Sequence, residues 1–96
     1  MSFIQVMEFE MNPSEAAASL KSYASEGKGV SFARRGIVCA DRNRPGTVVQ
    51  LIFFDSVEDA ERNNELELTQ RAAAEFSAKV GEVRFIDLDV IADLVI

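Results

Sequence analysis

Asp87 and Asp89 stand two residues apart in an alternating stretch. A strand there projects both carboxylates from one face, roughly 6–7 Å apart. In an apolar cavity one of such a pair can hold a raised pKa and act as a base. Asn63 and Asn64 lie where a helical pattern breaks, and an amide there can orient a carbonyl or a phenolate. Gln50 is the one polar interruption of an apolar run, Tyr23 places a phenol on an apolar helix stripe, and Arg34 and Arg35 offer cations. The chemistry these groups suggest is proton removal from an acidic C–H or phenol by a carboxylate, with Asn or Arg holding the oxyanion. The carbanion then meets O₂ or is reprotonated elsewhere, giving oxygenation or isomerisation. Asp87, Asp89 and Asn64 are thus the candidate catalytic residues. Asn63, Gln50, Tyr23, Arg34 and Arg35 are the candidate ligand-binding residues.

Each candidate also has a plain structural role open to it. The aspartates can face solvent or pair with arginines, across a subunit interface with Arg34 or Arg35 in particular. The asparagines can cap a turn, Gln50 can satisfy a neighbour, and Tyr23 can be a core aromatic with its hydroxyl at the edge. Cys39, without a His to support it, reads as a small packing residue. The basic loop Arg42–Arg44 reads as solvated.

Composition narrows the chemistry further. The chain has no His and no Trp and a single cysteine. It can supply no Ser-His-Asp triad, no Cys-His pair, no ordinary zinc site and no internal disulfide. No clustered acidic loop suggests a Mg²⁺ or Ca²⁺ site, so neither metal nor cofactor is expected. A net charge of -6 disfavours nucleic acid, and no Lys/Arg cluster suits an anionic membrane. No apolar run approaches a membrane span and no signal peptide is visible, which favours the cytoplasm. Ninety-six residues suit one domain over 1–96. Of these, 48% are apolar, more than a small core needs, which leaves surface for a second subunit.

These groups are positioned by five stretches. Phe3–Met11 alternates as a strand with Met7, Phe9 and Met11 on one face and Glu8 and Glu10 on the other. Asn12 caps a helix that begins at Pro13 and stops at Gly27, with Glu15 completing a capping box. Val30–Ala40 and Thr47–Phe54 form two strands around a polar Pro45-Gly46 turn. Val30, Phe32, Arg34, Gly36 and Val38 share one face of the first of these, and Ser31, Ala33, Arg35, Ile37 and Cys39 the other. The second is apolar enough to be an interior strand. Ser56–Val80 is a second helical region, capped by Asp55 or Ser56 and bent within Glu61–Glu67. Glu82–Ile96 holds a last strand, and Ala92–Ile96 is apolar enough to dock. The order is the β-α-β-β-α-β of an α+β, ferredoxin-like antiparallel sheet with helices on one face. The other face must meet a partner, a ligand or water.

Phe54-Asp55-Ser56-Val57-Glu58-Asp59-Ala60, the polar break after it, the amphipathic Thr69–Val80 and the closing Phe85-Ile86-Asp87-Leu88-Asp89-Val90 resemble the dimeric α+β barrel superfamily, in its antibiotic biosynthesis monooxygenase-like branch. The resemblance covers nearly the whole chain in layout. It implies a homodimer with facing sheets and, in each subunit, a pocket for a small organic molecule between sheet and helices. Activities it implies include cofactor-free oxygenation of polycyclic phenols, isomerisation, lactone rearrangement and haem degradation. The chain departs from many members in carrying Asn63-Asn64-Glu65 where they have a His near the start of the second helix. Haem degradation relies on His and Trp and is not expected here. The alternative is a non-catalytic binding or assembly module. An acylphosphatase is set aside because no Gly-rich phosphate loop follows the first strand.

Overall fold

The computed structural model describes residues 2–96. The elements in chain order are β1 (Phe3–Glu10), α1 (Pro13–Glu26), β2 (Ala33–Ala40), β3 (Thr47–Phe54), α2 (Val57–Glu65), α3 (Glu67–Lys79) and β4 (Arg84–Asp89). The strands form one antiparallel sheet in the order β2-β3-β1-β4. This is the ferredoxin-like arrangement that the order of sequence patterns implies.

Local chemistry explains the element limits. Asn12 Oδ1 accepts the Ser14 and Glu15 amides at 2.9 and 3.4 Å, and Pro13 opens the helix where no amide bond is needed. Between the alternative caps of α2 it is Ser56 that accepts the Asp59 amide, at 3.1 Å. The bend in the second helical region is a full interruption at Leu66, whose extended backbone (φ -65, ψ 136) separates α2 from α3.

The register assigns the faces. Phe3, Gln5, Met7 and Phe9 of β1 stand beside Phe54, Ile52, Gln50 and Val48 of β3, and this face carries the helices. One core cluster joins Phe3, Ile52, Phe54 and Ala60, and the other joins Phe9, Ala16, Val48 and Val80. Phe9 also meets Phe76 of α3 edge-on, with centroids 4.6 Å apart. Such a pair contributes about 0.5–1.5 kcal/mol beyond burial. The opposite face holds Ile4, Val6, Val49, Leu51, Phe53, Ile86 and Leu88, and no helix covers it.

Four sequence expectations need correction, the first being that Cys39 packs, since it is exposed. A bulge between Ala33 and Arg35 takes Arg34 out of the ladder, so Ala33 joins Gly36 and Val38 on the helix side while Arg35, Ile37 and Cys39 remain on the open side. Regular structure in β2 begins at Ala33 rather than Val30, because Gly27 accepts the Val30 and Ser31 amides in a turn. The apolar end does not dock on the sheet or helices among the described residues. Beyond the Val90 amide bond to Ser2 (3.0 Å), residues 91–96 extend with Ile91, Leu94, Val95 and Ile96 exposed.

Candidate functional site

Alternation on β1 puts Gln5 and Met7 on the helix side, and alternation on β3 puts Gln50 and Ile52 beside them. Above this floor stand α1, the end of α2 and α3. Helix α3 contributes no fully buried residue and leans on the core through Phe76. The break at Leu66 holds it off the sheet, and a cavity of about 450 Å³ opens beneath it. That volume is within the usual range for a small-molecule site. Met7, Leu20, Ile52, Phe54, Phe76 and Phe85 supply apolar wall, and Gln5, Gln50, Tyr23, Asn63, Asn64 and Thr69 supply polar groups. No Asp, Glu, Lys or Arg lines it among the described residues.

Apart from Ser19 and Ser77, the polar groups divide into two sets. The first is a closed network around Asn63, which is 4% exposed. Its Oδ1 accepts from Ser31 Oγ at 2.9 Å and from the Phe32 amide at 3.0 Å, and its Nδ2 donates to the Tyr23 hydroxyl at 3.0 Å. Tyr23 in turn lies 2.8 Å from Thr69 Oγ1. The network ties α1, the turn before β2, α2 and α3 together at one corner of the cavity. The second set comprises Gln5, Gln50 and Asn64, whose side chains have no hydrogen-bond partner among the described residues. An amide carries both donors and acceptors, so these three can read a ligand's oxygens and hydroxyls.

The sequence candidates are therefore only partly gathered. Asn63, Asn64, Gln50 and Tyr23 converge on the cavity. Asp87 and Asp89 do not line it: they sit exposed on the edge strand β4, beside Gln5 and Phe3 respectively. Arg34 bonds Asp55 through Nε at 2.9 Å on the surface, and Arg35 lies over the Phe53 ring at 5.7 Å on the open face. A pairing of Arg35 with Asp87 or Asp89 across facing open sheets does not fit this register, because the aspartates belong to the helix-bearing face. Four polar cavity residues escaped the sequence reading, Gln5, Ser19, Thr69 and Ser77. Gln5 had a signal, since it is the polar residue in phase with Met7 and Phe9. Thr69 had a weaker one, as the first residue of the stripe that continues through Ala72, Ala73 and Phe76.

Sequence comparison finds no matching family model and no matching curated relative. Structural comparison is decisive for the fold. SnoaB, a cofactor-independent oxygenase from Streptomyces nogalater, superposes in an asparagine-to-alanine variant with a TM-score of 0.78 at 13% identity, over 97% of this chain and 96% of that one. This is the fold of the antibiotic biosynthesis monooxygenase structures. A structure so described matches with a TM-score of 0.71 at 10% identity, over 96% of this chain and 100% of that one. Rv0793 from Mycobacterium tuberculosis matches at 0.76 and 12%, over 97% of this chain and 98% of that one. The layout read from the helix break and the closing strand is thus that of the monooxygenase-type fold. At these identities the likeness is one of architecture. Among the described residues no helix is long and apolar enough to cross a membrane, and no group of acidic or thiol side chains forms a metal cluster.

Proposed function

We propose that this chain works as a homodimer whose cavity holds a small, uncharged, mostly aromatic molecule, and that it oxygenates this molecule without a bound cofactor. The observation that carries the reading is the cavity wall: apolar surface, three unengaged amides and no charged side chain. A charged ligand would lose its hydration there without gaining a counter-ion. The neighbour SnoaB is described as a cofactor-independent oxygenase, which supports the reaction class. The open sheet face and the exposed apolar end support the second subunit. A single domain over 1–96, acting in the cytoplasm, completes the reading.

The wall also shapes the mechanism. With no carboxylate at the cavity, the role of base expected of Asp87 and Asp89 passes to water at the mouth. The substrate must then be acidic enough to ionise by itself, as a ring CH₂ conjugated to a phenol or ketone is, and must spread the charge it gains over its rings, since the wall offers amide donors and no counter-ion. Its C–H proton leaves to water, and the electron pair moves onto the ring oxygen, where Asn64 Nδ2 can donate to it. The carbanion carbon bonds to O₂, the resulting hydroperoxide breaks its O–O bond as water departs, and a carbonyl remains. One CH₂ and one O₂ give one C=O and one H₂O, so no external reductant is needed.

The test is oxygen uptake with substituted anthrones. The pH at which the rate rises should follow each substrate's own ionisation. Asp87→Asn and Asp89→Asn should retain turnover, and Asn64→Ala should lose about 10²-fold, as removal of one oxyanion donor does elsewhere. A pH profile fixed across substrates would defeat the mechanism. A non-catalytic dimerising binder is the second reading, favoured by the same lack of a base. Saturable binding of anthrones without oxygen uptake would select it.

A further inference from the structure

We infer that the Thr69 hydroxyl is the hydrogen-bonding point for a ligand oxygen in the cavity, and that Tyr23 sets whether it donates or accepts. The inference rests on the small-molecule reading of the cavity. It follows from assigning the protons of the buried network one at a time. Asn63 Oδ1 can only accept, so Ser31 commits its single hydroxyl proton there, at 2.9 Å. The Ser31 oxygen already receives the Ala33 amide at 3.1 Å. Asn63 Nδ2 donates to the Tyr23 oxygen at 3.0 Å. Tyr23 then has one proton and two hydroxyl neighbours, Thr69 at 2.8 Å and Ser31 at 3.4 Å.

Only two arrangements satisfy these constraints. In the first, Tyr23 donates to Thr69, and the Thr69 proton is free for an acceptor in the cavity. In the second, Thr69 donates to Tyr23, Tyr23 turns its proton to Ser31, and the Thr69 lone pairs are free for a donor. Thr69 makes no other hydrogen bond among the described residues, and it forms part of the cavity wall. Rotation of two O–H bonds, with no movement of heavy atoms, converts one arrangement into the other. Asn63 is what makes this possible, since its fixed amide holds the Ser31 and Tyr23 oxygens in place in both. One site can thus bind a phenol, which donates, and a ketone or quinone, which accepts. An oxygenase whose substrate carries a phenol and whose product carries a quinone carbonyl meets both kinds of group in one cavity.

Naphthalene, 1-naphthol and 1,4-naphthoquinone serve as hydrocarbon, donor and acceptor probes in calorimetric titrations. Wild type is expected to bind both oxygenated probes more tightly than naphthalene. Thr69→Val keeps the shape and removes the hydroxyl, and it should reduce the preference for each oxygenated probe by about fivefold while leaving naphthalene affinity unchanged. Thr69→Ser should restore both preferences. Retention of either preference in Thr69→Val overturns the inference alone, and so does failure of Thr69→Ser to restore them. If wild type binds naphthalene but shows no preference for the oxygenated probes, the inference fails and the cavity reading stands. If wild type binds none of the three, both fail together.

Discussion

Asn63 Nδ2 meets the Tyr23 hydroxyl at 3.0 Å and joins α2 to α1 across 40 positions of sequence. The adjacent Asn64 touches none of this, and its amide has no hydrogen-bond partner among the described residues. Two neighbouring asparagines of identical chemistry are thus placed oppositely, one inside a buried network and one unengaged at the cavity wall.

Stability measurements should separate them. Asn63→Ala leaves the Tyr23 and Ser31 hydroxyls and the Phe32 amide without their shared partner in a mostly buried corner. It should cost about 2–3 kcal/mol, as unsatisfied buried groups do. Asn64→Ala, on an exposed side chain, should stay within about 0.5 kcal/mol. Urea unfolding of the two variants decides the matter, and equal midpoints would contradict the assignment.

Gly36 marks where α1 crosses the edge strand. A Cβ built there would lie 3.0 Å from Leu20 Cδ2, 3.1 Å from Leu20 Cδ1 and 3.3 Å from Ile52 Cδ1. Gly36→Ala asks only that the flexible end of Leu20 give way, and it should be mild. Gly36→Val pushes two further methyls into the same space and should destabilise by about 1–3 kcal/mol. Thermal unfolding of both variants, with Ala above Val, is the check. Because Leu20 is also cavity wall, the valine variant should bind aromatic probes more weakly than the alanine variant.

The parts of this molecule that were legible in the sequence are those governed by local rules. Asn12-Pro13, Ser56 and the polar run before Leu66 state their own caps and break, and the alternation through Met7 and Phe9 fixes the inner face of β1. Those signals suffice for the element order and hence for the ferredoxin-like sheet. Gln50 and Tyr23 stood out as polar groups inside apolar patterns, and Asn63 and Asn64 as amides at the break in the second helical region. The aspartates misled for a specific reason. Spacing shows that Asp87 and Asp89 share a face, but whether that face meets the cavity depends on how far α3 reaches across the sheet, a tertiary property. The Arg34 bulge defeats strict alternation in β2 in the same way. The exposed end could not be placed either, since apolarity shows that a segment needs cover and not which surface supplies it.

Glu8, Asp41 and Arg44 fasten the β2–β3 loop to the open end of β1. Arg44 Nη1 lies 2.7 Å from Glu8 Oε1, and Arg44 Nε lies 2.8 Å from Asp41 Oδ2. The Arg44 hydrogen bond holds the Glu8 carboxyl below the usual glutamate range. The Asn43 amide, followed by Arg44, does the same for Asp41. Both folded values lie below the unfolded ones, so the unfolded chain takes up protons first as the solution is acidified. The contribution of these groups is complete above the ordinary carboxylate range and is lost as pH falls through the lowered folded values. Arg44→Gln should therefore flatten the acid limb of a plot of Tm against pH and make little difference to its slope near neutrality. An identical acid limb in wild type and variant would exclude this coupling. Added salt should narrow the gap between them, since the guanidinium is more than half exposed.

The open face yields the sharpest test of self-association. Leu51 lies at its centre, flanked by Val6 of β1 and Ile37 of β2, and it belongs to neither core cluster. A charge there disturbs neither core cluster, since Leu51 is only half-buried in the single subunit, yet it would be sealed against apolar surface in any dimer built on this face. Leu51→Lys should thus leave the isolated subunit folded, at a cost of about 1 kcal/mol, and shift the sedimenting species from dimer to monomer at micromolar concentration. The cost of an unpaired buried charge, several kcal/mol, is enough for a weakening of at least about 10³-fold. Removing residues 91–96, whose apolar side chains are exposed in the single subunit, should weaken association by a smaller factor, because it takes away apolar area without introducing a charge. Sedimentation velocity across a concentration series would read both. A Leu51→Lys protein that remains fully dimeric would place the interface elsewhere, and the open sheet would then need a different occupant.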